Sequence, residues 1–241
     1  MFIIGVAGQA QMGKDTLADR LQVSLNTWKR ESLDQRMTDE LIWNRSAFAA
    51  AVKKVFCDTF GVDLAFVEQW KTIPEAPPGF DMPVRQALQF IGDGFRKIRS
   101  TIWLDLAFKD KSVPKIISDV RYINEFVRVK QEGGLNILVA RPDKLNDDPN
   151  GSEAQIRPYV EWALREFGGE SQMVTLRDLN WPYLRRMAPQ NMEMFDIFVC
   201  NCGTRDDLLE LVDTQLAPVV RKHVFEFPEW EKDRSTCLIS S

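Results

Sequence analysis

One histidine, His223, and four cysteines, Cys57, Cys200, Cys202 and Cys237, are all that 241 residues offer to a soft metal. No two cysteines form a Cys-x-x-Cys pair, and a single imidazole does not complete a zinc tetrahedron with them at the usual spacings. The thiols read as free, which suits a reducing cytoplasm. A basic excess is missing too: 31 Lys and Arg face 35 Asp and Glu, for a net charge of −4. A nucleic-acid coat or a membrane-surface protein needs the opposite balance, so neither nucleic acid nor membrane is expected as a partner. The opening run Phe2-Ile3-Ile4-Gly5-Val6 is too short for a signal peptide or a membrane span. The ending Cys237-Leu-Ile-Ser-Ser241 carries its cysteine one place too far from the terminus for a prenylation box. Internal repeats and low-complexity tracts are absent.

What is present is an alternation of short apolar runs and helical patterns, which predicts βαβ units and a parallel sheet. The clearest strands are Phe2–Ala7, Lys115–Ser118, Asn136–Ala140 and Asp196–Cys200, with a weaker one at Ser46–Ala49. Helices are predicted at Gly13–Trp28, Ala50–Phe60, Pro83–Ile98, Thr101–Phe108, Tyr122–Glu132 and Arg205–Val219. Two stretches break the rhythm. Residues 61–82 carry Pro74, Pro77, Pro78 and Gly79; residues 142–194 are polar, with a helix predicted at Glu153–Phe167. Long interruptions of this kind suit a substrate-binding insertion and a closing lid; the alternative is surface loops and a packed helix.

The motif that carries chemistry is Gly8-Gln-Ala-Gln-Met-Gly13-Lys14-Asp15-Thr16. It has the G-x-x-x-x-G-K spacing, follows a predicted strand and opens a helix with Leu17, Leu21 and Leu25 at helical spacing. Gly8 and Gly13 permit the backbone to turn successive N–H groups toward phosphate oxygens, and the helix N-terminus adds its positive end. Lys14 brings a mobile cation to the β- and γ-phosphates. Asp15 stands where a metal-contacting Ser or Thr is usual; it reads as a Mg²⁺ neighbour, or else as a helix-capping acid. Thr16 can donate its hydroxyl to a phosphate oxygen. The loop thus predicts ATP and Mg²⁺, on an α/β, three-layer P-loop NTPase fold with a parallel sheet of about five strands.

Gly13-Lys14-Asp15-Thr16 resembles both the phage deoxynucleoside monophosphate kinases and animal-type phosphomevalonate kinases. Further segments resemble the phage group, in that family's order: Phe48–Lys53 with Phe60-Gly61, Val84-Arg85-Gln86-Ala87-Leu88-Gln89-Phe90-Ile91-Gly92, Trp103, Ser118-Asp119-Val120-Arg121 with Asn124-Glu125, Val139–Pro142, Ser152-Glu153, and Asp196–Asn201. Residues 154–194 fit poorly, as an insertion, and Asp93 stands where that family more often has Thr. The resemblance implies an enzyme that phosphorylates deoxynucleoside 5′-monophosphates with ATP, acting on small nucleotides in the cytoplasm, a host's if phage-encoded. A homodimer stays open. A phosphomevalonate-type kinase and a nucleotide-binding switch are the alternatives. The switch is disfavoured because no Asn-Lys-x-Asp guanine signature occurs and Asp58-Thr-Phe-Gly61 falls late in a predicted helix.

On this reading residues 1–241 form one kinase domain. Its core is 1–60, 112–141 and 195–222, with an acceptor-binding insertion at about 61–111 and a lid at about 142–194. Transfer between two anions needs cations beyond Lys14, and guanidinium forks suit phosphate oxygens. Arg121 and Arg141 are predicted with Lys14 as catalytic. Arg85, Gln89, Arg121, Lys53 and Trp103 are predicted to bind the acceptor, with Trp70 and Phe90 as further stacking candidates. Asp15 and Asp119 are predicted to serve the metal.

Overall fold

The computed structural model describes residues 2–32, 42–145, 152–179, 184 and 186–225. Strand β1, Ile3–Ala7, is buried along its whole length, as a central strand covered on both faces must be. Its parallel neighbours are β3, Lys115–Val120, and β4, Leu135–Ala140. Farther out, β2 (Asn44–Ser46) runs parallel to β3, and β6 (Ile197–Cys200) parallel to β4. The far edge is β5, Gln172–Thr175, antiparallel to β6, so the order is β2-β3-β1-β4-β6-β5. The alternation predicts the five parallel strands. The edge strand β5 is additional: four half-buried residues are too few to show a period.

Helices α1 (Lys14–Ser32), α2 (Phe48–Phe60), α4 (Val84–Ile98), α5 (Ile102–Ala107) and α6 (Ile123–Gln131) lie close to their predicted places. Leu17, Leu21 and Leu25 of α1 are buried, as their spacing predicts. Two boundaries differ for identifiable reasons. The weak strand predicted at Ser46–Ala49 lies instead at Asn44–Ser46, because the Asp119 carboxylate accepts the N–H groups of Phe48 and Ala49, both at 2.8 Å, and starts α2 there. Within 61–82, α3 (Leu64–Trp70) forms where Asp63 caps the Phe66 N–H at 2.7 Å. The last helix is longer than predicted: α8 (Arg205–Leu211) passes through a π-helical turn, Val212–Leu216, into α9 (Ala217–Phe225). Asp213 in that turn is bound by the Arg20 guanidinium of α1 through two nitrogens.

The main core collects both faces of the sheet. A second apolar cluster, Phe56, Val67, Val84 and Ala87 with Phe66, Trp70 and Phe80 against it, ties α3 and α4 to α2. Helix α7, Ser152–Phe167, buries Ile156, Tyr159, Val160, Trp162 and Ala163 in the main core, with the Trp162 ring 5.6 Å from that of Phe198 in β6. The reading of 142–194 as one closing lid therefore does not hold for α7 and β5, which are built into the layers of the domain. Residues 146–151, 180–183 and 185 of that stretch, and Cys237, lie outside the described residues. Among the described residues no helix is long and apolar enough to cross a membrane.

Candidate active site

The carboxyl ends of β1, β3, β4 and β6 deliver Gly8, Arg121, Arg141 and Asn201 to one edge of the sheet, where open parallel sheets bind ligands. The loop from Gly8 to Gly13 carries three residues at positive φ: Gly8 at 155°, Gln11 at 62° and Gly13 at 92°. Its two glycines are required by space as well. A Cβ on Gly8 would stand 2.7 Å from the Val139 carbonyl oxygen, and one on Gly13 would stand 2.8 Å from Asn201 Nδ2. Asn201, buried at the end of β6, donates to the Met12 carbonyl at 3.1 Å and so holds the loop from behind. This is a cradle shaped for close approach of backbone to an anion, and a nucleoside triphosphate fits it. Lys14 is buried with its Nζ 3.5 Å from the Gln9 carbonyl. Burial lowers its pKa, with Asp15 opposing the shift.

Asp15 heads α1 with its side chain two-thirds exposed. Its Oδ1 accepts the Ser118 hydroxyl at 2.8 Å and lies 3.3 Å from Arg45 Nη2. Arg45, from β2, also binds Asp19 at 2.8 Å and Ser118 Oγ at 3.0 Å, while its buried Nη1 has no hydrogen-bond partner among the described residues. Among the described residues no group of three or more His, Cys, Asp and Glu could hold a metal ion. Mg²⁺ takes few protein ligands and keeps phosphate and water oxygens for the rest, so the hard oxygens of Asp15 and Ser118 beside a phosphate cradle fit it. Asp119 is placed differently from its prediction. It is half-buried, burial raises its pKa, and each oxygen takes an α2 N–H, so it caps that helix, while its charge also acts on Lys14.

Arg121 follows β3 with Nη1 3.4 Å from Glu153 Oε1, and the other oxygen of Glu153 accepts the loop N–H of Ala10 at 3.3 Å. The turn that carries Arg121 is itself fastened: buried Glu125 Oε2 accepts the N–H groups of Arg121 at 2.8 Å and Tyr122 at 3.1 Å. Burial pushes the Glu125 pKa up to about 7, against these two hydrogen bonds. Arg96 of α4 lies over the Tyr122 ring at 4.6 Å and reaches Glu125 at 3.9 Å, joining α4 to the same turn. Arg141 binds Asp143 at 2.7 Å, which holds that carboxyl below its usual range.

On α4, Arg85 and Gln89 are exposed one turn apart. Trp103 does not join them. It is buried in the main core, and its indole N–H donates to the Gly92 carbonyl at 3.0 Å, so it fastens α5 to α4 instead of offering a stacking face. Trp70 is half-buried in the second cluster, whereas Phe90 is three-quarters exposed. Lys53 is engaged by Glu68 of α3 at 2.6 Å, and that contact leads in lowering the Glu68 pKa.

Sequence reasoning did not single out Arg45, Ser118, Arg96 or Glu125 by role. Glu125 had a signal: it stands three residues after Tyr122 at a helix start, the position from which an acid reaches back to backbone N–H groups. Arg45 had none, being one polar residue on a three-residue strand.

No family model matches the chain. It is similar to a protein of Acanthamoeba polyphaga mimivirus named "Putative deoxynucleotide monophosphate kinase", with 27% identity over 176 residues, covering 65% of this chain and 83% of that protein.

Proposed function

We propose that this chain is a nucleoside monophosphate kinase that moves the γ-phosphoryl group of ATP to the phosphate of a deoxynucleoside 5′-monophosphate, giving ADP and the diphosphate. The observation that carries the reading is the glycine cradle closing on buried Lys14, with Arg121 beside it at the end of the neighbouring strand. The similarity to the mimivirus protein, named for this activity, supports a kinase and favours this acceptor class.

In the reaction an acceptor phosphate oxygen bonds to the γ-phosphorus, the bond to the β–γ bridging oxygen breaks, and ADP leaves with that electron pair. Mg²⁺, held by Asp15 and Ser118, would supply charge neutralisation to the donor phosphates. The chain's residues supply position and charge. Loop N–H groups between Gly8 and Thr16 hold the donor phosphates, and Lys14 follows the group in transfer. Asp15, steadied by Ser118, would hold the Mg²⁺ ion. Arg85 and Arg121 grip the acceptor phosphate, with Gln89 one turn along α4 for the base edge. Arg141 turns from Asp143 toward the transferring group. We keep Asp119 as the anchor of α2, and Lys53 as a tie between α2 and α3, outside the chemistry.

The test is a panel of all deoxy- and ribonucleoside monophosphates, with phosphomevalonate alongside, each given ATP and Mg²⁺ and read as ADP release. The reading expects acceptor-dependent release with at least one deoxynucleoside monophosphate and none with phosphomevalonate. Release with phosphomevalonate alone would overturn it.

A further inference from the structure

The loop N–H of Ala10 should serve a donor phosphate, yet a carboxylate of the protein already takes it. Glu153 is only 8% exposed, in the first turn of α7, a helix held in place by five core side chains. One of its oxygens accepts from Ala10 N at 3.3 Å and the other lies 3.4 Å from Arg121 Nη1. Its negative charge also acts on Lys14. A single side chain thus engages the donor loop and the arginine assigned to the acceptor.

Three physical consequences follow. An N–H has one hydrogen, so a phosphate oxygen and the Glu153 carboxylate cannot both be well served by Ala10. The largely buried Glu153 carboxylate against this loop is repelled by an arriving triphosphate, and the shielding is weaker there than in water. Arg121, while its fork faces Glu153, has less to offer an acceptor phosphate.

We propose that Glu153 is an internal stand-in anion that holds the phosphate loop and Arg121 together in the nucleotide-free protein, is displaced when donor phosphates enter the loop, and thereby releases Arg121 to the acceptor. This rests on the donor-loop reading above and adds an order of events to it. Donor binding frees the acceptor's arginine, so the two substrates bind with positive coupling. By reciprocity an acceptor phosphate that draws Arg121 away weakens Glu153's hold on the loop and favours the donor.

Calorimetric titration of ADP in metal-free buffer into wild type and Glu153→Gln tests this. The amide keeps the side chain's size and an oxygen for Ala10 N–H but removes the charge. The variant should bind ADP tighter, by about tenfold, within the usual range of site-to-site coupling. A second measurement needs no variant: ADP should tighten the binding of the deoxynucleoside monophosphate chosen from the acceptor panel to wild type. That gain should shrink in Glu153→Gln. Equal or weaker ADP binding by a folded Glu153→Gln overturns the proposal, and so does an acceptor affinity in wild type that ADP leaves unchanged or lowers. If neither protein binds ADP, the donor-loop reading itself falls and this inference with it.

Discussion

The carboxylate of Asp15 at the head of α1 accepts the hydroxyl of Ser118 near the end of β3 at 2.8 Å, so an acid beside the phosphate loop is aimed by the neighbouring strand. An acid merely capping its own helix would not need that cross-strand tether. Asp15→Asn should therefore raise the Mg²⁺ concentration for half-maximal rate several-fold while leaving thermal stability nearly unchanged, because the side chain is largely exposed. Asp119→Ala should behave in the opposite way. Its two α2 N–H groups lose their cap, at a cost of about 1–2 kcal/mol. Mg²⁺ titrations of wild type and Asp15→Asn that overlay would reduce Asp15 to a helix-end acid.

Glu125 gives a pH dependence whose sign is fixed by its environment. Its folded-state pKa is raised from 4.5 to about 7. The folded protein thus holds a proton in that window that the unfolded chain has released. Stability is fullest below the unfolded value and declines as pH climbs through the folded one, by up to about 3 kcal/mol. Urea unfolding at about pH 5 and about pH 8 should show wild type weaker at the higher pH. Glu125→Gln keeps an oxygen for the Arg121 and Tyr122 N–H groups and should lose most of that decline. Equal declines in the two proteins would place the titration elsewhere.

The arginines should separate kinetically. A grip on the ground-state acceptor appears in KM, whereas a contact completed during transfer appears in kcat. Arg85→Ala and Arg121→Ala should raise the acceptor KM by tenfold or more, an estimate from the cost of a lost charged hydrogen bond, with little change in the ATP KM. Arg141→Ala should lower kcat instead. Lysine replacements should rescue poorly for want of the planar fork. An Arg85→Ala protein altered only in its ATP KM would remove α4 from the acceptor site.

The phosphate loop was legible because its chemistry is local: two glycines and a lysine sit within seven residues, directly between strand β1 and helix α1. Strands β1, β4 and β6 were legible because burial on both faces makes them largely apolar runs, whereas β2, Asn-Arg-Ser, gave only a weak signal. What stayed hidden depends on contacts between distant segments. That the Asp119 oxygens also hold the start of α2, seventy residues earlier, was not legible. Trp103 looked like a stacking face until its N–H was found on Gly92 and its ring in the core. Glu153 gave no sign in sequence that it reaches Ala10, 143 residues away. In 142–194 the polar composition concealed the buried face of α7 and a four-residue edge strand.

The central claim is that the loop from Gly8 to Thr16 is the donor site and that Lys14 carries charge in the transfer. It is tested most directly by the rate of deoxynucleoside diphosphate formation from ATP and the preferred monophosphate, in wild type and Lys14→Ala, with circular dichroism confirming the fold of both. The account predicts formation by wild type and a loss of roughly three decades or more in the variant, because a buried charge next to the phosphates acts with little screening. Turnover by a folded Lys14→Ala protein within a few-fold of wild type would contradict it.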